Sequence, residues 1–168
     1  MAAAAAAVLL IAQAAAPITL AGVVLGSSAK DVVAAHKGAP AGKSATGSVW
    51  SFARPGGGTI KITAGDDGNV AIVDFVAGAS AAGTIDLPAA PSFALAGTHD
   101  AYSNASTYVE SDACAQPASN ATCYAYTLED GSELLLTFSA AGSGLREALW
   151  GDRALLKELG LIAAGTTL

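Results

Sequence analysis

Residues Cys123-Tyr-Ala-Tyr-Thr-Leu-Glu-Asp-Gly-Ser-Glu-Leu-Leu-Leu-Thr-Phe138, continued by Leu145-Arg-Glu-Ala-Leu-Trp150, decide the fold. Large side chains recur at every second position and tight-turn residues interrupt them, the pattern of three short strands in a meander. The same pattern stands earlier, from Val49 to Phe75. Trp50 and Phe52 match Tyr124 and Tyr126, Gly57 matches Gly131, and Ile60-Lys61-Ile62-Thr63 matches Leu134-Leu135-Leu136-Thr137. After one inserted residue, Val73 and Phe75 match Ala148 and Trp150. The chain therefore reads as a duplicated unit of roughly 75 residues, each centred on a three-strand meander.

A chain of 168 residues makes one domain or two small ones in close contact. Alanine inflates the apolar fraction, so the expected core is adequate rather than large. A net charge of -6 with no basic run argues against a nucleic-acid partner, because such a partner needs a basic face to displace its counterions.

Residues 1–16 are apolar and end in small side chains before Pro17, the pattern of a signal peptide cleaved near Ala14 to Ala16, although no Lys or Arg precedes the apolar part. The run is short for a membrane span, so no transmembrane span is expected after processing. It ends without a cysteine, so no lipid anchor is expected either. In an exported protein the two cysteines, Cys114 and Cys123, are expected to form a disulfide, with two separate buried thiols as the alternative.

Taken in order, Ser27 or Ser28 caps a helix with Asp31 in its first turn, ending near Lys37 and Gly38. Residues 39–47 read as a loop of small residues. Strands are expected at 49–54, 59–64 and 70–77. Residues 78–97, rich in Ala, Gly and Pro, connect the halves, with Ile85-Asp86-Leu87 as a short edge strand. Thr98 caps a short helix to Ser106, residues 107–122 form a polar loop, and 152–159 form a closing helix stopped by Gly160.

Gly22, Leu25, Gly26, Ser28, Asp31 and Val32, then Gly38 and Pro40, then Trp50 and Phe52, resemble the opening of the SmpA/OmlA (BamE-type) outer-membrane assembly domains. They are also similar to the repeats of the β-lactamase inhibitor protein group. The likeness covers residues 20–76; the second half lacks the Gly-x-x-Leu-Gly opening, and the missing anchor cysteine departs from the assembly lipoproteins. The resemblance implies helices packed on an antiparallel sheet and, on the side of the inhibitor group, a sheet surface rich in aromatic anchors.

Few groups suggest chemistry. Gly38-Ala-Pro-Ala-Gly42-Lys43-Ser44 is one residue short of a phosphate-binding loop, contains Pro40 and follows a helix instead of a strand. Asp66-Asp67-Gly68-Asn69 lacks the closing glutamate of a calcium loop and reads as a hairpin turn. His99 is the one histidine beside a carboxylate, Asp100; Asp100 reads as serving the helix N-terminus and His99 as a surface residue. His36 falls in the last turn of the first helix. Trp50, Phe52, Tyr124 and Tyr126 share faces with Ile60, Ile62, Leu134, Leu136 and Phe138, so that face is expected under the helices. The opposite face, with Ser51, Thr59, Lys61, Thr63, Ala125, Thr127, Glu133 and Thr137, is expected to be solvated, with Ile72 and Leu135 as exceptions.

These readings combine into an exported α+β protein of two tandem helix-plus-antiparallel-meander repeats, helices packed on one face of the sheet. A signal peptide occupies 1–16, the first repeat 17–80 and the second 81–168. The expected function is non-catalytic binding of another protein or an envelope component in the periplasm or outside the cell, with no cofactor, metal or catalytic residue. The alternatives are a small periplasmic hydrolase using His99 and Asp100, and a purely structural envelope protein. An aromatic or Arg cluster on the open sheet face points to the binder, and a pocket joining His99 to a Ser or Tyr hydroxyl points to the hydrolase.

Overall fold

A computed structural model describes residues 18–114, 120–139 and 144–163. The signal-peptide reading of 1–16 lies outside the described residues. After a short bridge between Leu20 and Val23 comes helix α1 (Ala29–His36). The Ser28 side chain accepts from the Asp31 N–H, and Lys37 takes a left-handed conformation at the other end.

Strands β1 (Ala39–Ser44), β2 (Gly47–Ala53), β3 (Thr59–Ala64) and β4 (Val70–Val76) follow as antiparallel neighbours. Then come the hairpin β5 (Thr84–Leu87) and β6 (Ala90–Ala94), helix α2 (His99–Ala105) and the short strand β7 (Val109–Ser111). Strands β8 (Ala121–Thr127), β9 (Ser132–Ser139) and β10 (Leu145–Asp152) and helix α3 (Arg153–Glu158) complete the described elements. Eight strands form one sheet in the order β1-β2-β3-β4-β10-β9-β8-β7, and the hairpin stands apart as a two-stranded sheet. The two meanders thus meet at the centre, where Val73 pairs with Trp150 and Phe75 with Ala148.

The period-two alternation sorts the side chains into two apolar clusters, one on each face. On the first face Phe52, Ile60, Ile62, Val73, Phe75, Tyr126, Leu134, Leu136, Phe138 and Trp150 are buried. Trp50 and Tyr124 pack on this cluster but are only partly buried. On the second face Ile72, Ala125 and Leu135 join Ala113, Leu156 and Ile162.

The expected α+β arrangement of two tandem helix-plus-meander repeats, helices packed on one face, is overturned. The described structure is mostly β, with ten strands and three short helices, and the helices do not all share a face: α1 and α2 pack into the first-face cluster and α3 into the second. α3 lies on the second face, because Leu135, Leu149 and Ile72 expose apolar surface there that Leu155, Leu156 and Leu159 cover. On the first face the β5–β6 hairpin, through Ile85, Leu87 and Phe93, takes much of the area assigned to helices. Tyr102 of α2 packs edge-on against Phe93 of that hairpin, with ring centroids 5.9 Å apart. Its hydroxyl donates to the Pro88 carbonyl at 2.7 Å.

Two loop expectations also change: 39–47 contains β1, and 107–122 contains β7. Among the described residues no helix is long and apolar enough to cross a membrane.

Candidate functional site

The cysteines form the expected disulfide, Cys114–Cys123, with Cα atoms 5.9 Å apart. It ties the segment after β7 to β8, and both half-cystines pack against the second-face cluster. Its place is structural.

The second face divides into two halves. Over β8 to β10 it is covered by α3 and by the segments around Ala113 and Ile162. Gly151 permits this approach: a Cβ there would lie 3.0 Å from the Ala71 carbonyl oxygen and 3.2 Å from Leu156 Cδ2. The covering buries two residues expected to be solvated, Ala125 and Glu133, both 0% exposed. A buried carboxylate needs partners. Glu133 accepts from the Ser111 hydroxyl and from the Thr127 hydroxyl at 3.1 Å, and the Arg153 Nε lies 3.6 Å away.

Over β2 to β4 the buried second-face cluster reaches only Ile72, with Ala71 beside it. Ala53, Thr59, Lys61 and Val76 are exposed, and Ser51, Thr63 and Asp74 are half-buried. Lys61 Nζ stands 4.0 Å from Asp74 Oδ2, while Asp74 Oδ1 has no hydrogen-bond partner. Burial pushes the Asp74 carboxyl up to about 6; the nearby charge of Glu147 adds to the rise, and Lys61 opposes it. The open half-face is a hydroxyl-bearing surface with one ion pair and no aromatic or arginine cluster among its described residues.

His99 is not a simple surface residue. Its side chain is 19% exposed, and its ring stacks on Tyr124 with centroids 3.3 Å apart. Nδ1 lies 3.3 Å from Asp100 Oδ1, and Nε2 lies 3.0 Å from the Ser103 hydroxyl and 3.7 Å from Glu110 Oε2. The Ser103 hydroxyl also meets the Tyr126 hydroxyl at 3.1 Å. Burial pushes Tyr126 up to about 12, against a smaller lowering by its hydrogen bond with Ser103.

Ser103, His99 and Asp100 thus have the connectivity of a nucleophile, base and orienting acid. Two features weaken that chemistry. The Asp100 side chain is 90% exposed, so water screens its hold on the imidazole. Ser103 lies inside α2, where its own N–H belongs to the helix ladder and is not free to stabilise an oxyanion. Ser103, Tyr126 and Glu110 were not legible as partners of His99, although the spacing of four residues on a helix puts His99 and Ser103 on one side.

The expected turn at Asp66 to Asn69 is present: Asp67 accepts from the Asn69 backbone and side-chain amides at 2.9 and 2.8 Å, bonds that lower its pKa. Comparisons with protein-family models, curated proteins and solved structures return no match.

Proposed function

We propose that the protein is an exported, non-catalytic binding protein whose docking surface is the open half-face of β2 to β4. One observation carries this reading. A single sheet has its second face covered by α3 over one half and left bare over the other. Sheets exposed on one face are common, but here the uncovered half adjoins a covered half of the same sheet, across the β4–β10 pairing, so a partner laid there would continue an existing layer. The surface offers hydroxyls and the Lys61–Asp74 pair and lacks the aromatic or Arg cluster expected of a binder, so the reading rests on the uncovered half-face alone.

The disulfide fits an oxidising compartment, and together with the apolar run at 1–16 it supports a periplasmic or secreted location. Kinship with the SmpA/OmlA group rests on the residues between Gly22 and Phe52 and belongs to this proposal. The test is capture of envelope partners by the wild type and by a Thr59→Arg, Thr63→Arg pair. Loss of a specific partner in the variant, with unchanged melting, supports the reading; equal capture by both contradicts it.

The contacts among Asp100, His99 and Ser103 favour a second reading, a small hydrolase. An active-site fluorophosphonate distinguishes the two. The binding reading expects no labelling, whereas labelling abolished by Ser103→Ala would establish the hydrolase.

A further inference from the structure

We propose that the Cys114–Cys123 bridge is a redox latch: its reduction by a dithiol releases the segment at Ala113 and the chain end at Ala163 from the second face and opens the strip of that face carried by β8. This strip lies three strands from β4 in the sheet order, so the latch stands apart from the docking reading of β2 to β4.

Alternation along β8 puts Cys123, Ala125 and Thr127 on one face, the face of the second cluster. The chain leaves β7 alongside β8, with Ser111 opposite Ala125, and meets Cys123 at Cys114. Between these two points Ala113, 2% exposed, packs in one cluster with Ala125, Leu156 and Ile162. The Ser111 hydroxyl donates to the buried Glu133 and accepts from the Ala113 N–H at 3.3 Å. The Ala113 carbonyl accepts from the Ala163 N–H at 2.9 Å, which ties the chain beyond α3 to the same segment.

The bridge is the strong tie in this set. The others on Ala113 are two single hydrogen bonds and the burial of one methyl group, each a small contribution. β7 ends at Ser111, so its pairing with β8 stops short of Ala113. The bridge closes a loop with a sequence separation of 9, and this closure holds Cys114, and Ala113 beside it, onto β8. Both half-cystines are half-buried, not sealed in the core, so a thiolate has a route to the sulfurs.

The donor thiolate attacks one sulfur to form a mixed disulfide, and the donor's second thiol resolves it. Two electrons and two protons pass to Cys114 and Cys123, which become thiols, and the donor dithiol becomes a disulfide. α3 itself stays, since it follows β10 directly and is anchored by Leu156. What opens is the strip beyond it: Ala125, both thiols and the Ser111 side of the Glu133 carboxylate, which keeps Thr127 and Arg153 as neighbours.

The experiment is residue-resolved amide hydrogen exchange by NMR on the full chain, oxidised and after reduction with excess dithiothreitol in the absence of denaturant. Reduction is expected to speed exchange at Ala113 and Ala163 at least about tenfold and to leave Ile62 and Val73 in the sheet unchanged. Ala163→Pro removes the donating N–H and sets the order of the ties. In the oxidised variant Leu161 is expected to exchange faster while Ala113 stays slow, and reduction then frees Ala113. Unchanged exchange at Ala113 and Ala163 on reduction would overturn the latch, as would a bridge that resists reduction without denaturant. Equal acceleration across the sheet would show a general staple instead, and fast exchange of Ala113 in the oxidised Ala163→Pro variant would show that the chain end, not the bridge, holds the segment.

Discussion

Trp150 and Trp50 show how burial, not residue type, sets the energetic role of a side chain. Trp150 is 1% exposed, and its indole N–H donates to the Ser132 hydroxyl at 2.9 Å. Trp50 packs at the margin of the same cluster and is only partly buried. Trp150→Ala is expected to cost about 3–5 kcal/mol in denaturant unfolding, and Trp50→Ala clearly less. Equal losses would mean that the margin of the sheet is packed as tightly as its centre.

Asp74 sets a pH dependence at the same scale. Its folded pKa, about 6, lies above the ordinary 3.8, so between these values the folded chain holds a proton that the unfolded chain releases. Stability contributed by this group therefore falls as pH rises through that window, and the loss is complete above the folded pKa. Asp74→Asn is expected to flatten this fall and to raise the melting temperature at pH 8 relative to the wild type more than at pH 4. A variant melting profile parallel to that of the wild type between those pH values would contradict the assignment.

At the scale of elements, the alternation of large side chains made β2 to β4 and β8 to β10 legible in the sequence. N-capping residues did the same for α1 and α2, where Ser28 and Thr98 each accept from a backbone N–H in the first turn, and the stop at Gly160 did so for α3, whose N-cap proves to be Asp152. What stayed hidden was built from small residues. Ala39–Ser44 has no large apolar side chain, so β1 looked like a loop, and it is held by its pairing with β2. The short strand expected at Ile85-Asp86-Leu87 is present as β5, but its partner β6 was concealed, since Phe93 is diluted by Ala, Gly and Pro.

The face chosen by α3 was also hidden, since an amphipathic stripe says that a helix is covered but not by which side of a sheet. Two measurements follow. Leu156→Ala, at a fully buried position on the second face, is expected to cost about 2–5 kcal/mol. Replacing both cysteines by serine is expected to cost about 2–3 kcal/mol by the chain-entropy argument. Unchanged unfolding midpoints in either case would detach α3 or the bridge from the stability of the sheet.

For the molecule as a whole, the candidate sites were less legible than the strands, because a site is a meeting of residues distant in sequence. His99 and Asp100 stood out as neighbours and Ser103 stands one turn along the same helix, but Tyr126 and Glu110 meet them only once α2 is laid against β8 and β7. The bare half-face depended on where α3 would go, and Glu133 was assigned to solvent because strand alternation places it there until a helix covers it. The central claim is that the bare half of the second face is where a partner docks. Site-specific photo-crosslinking in the native host tests it most directly, with a photoreactive residue placed in turn at Thr59, Lys61 and Thr63 and, as controls, at Lys30 and Lys157. Discrete adducts from the three sheet positions and none from the two helical positions are the expected result. Adducts from the helices alone, or from no position, would contradict it.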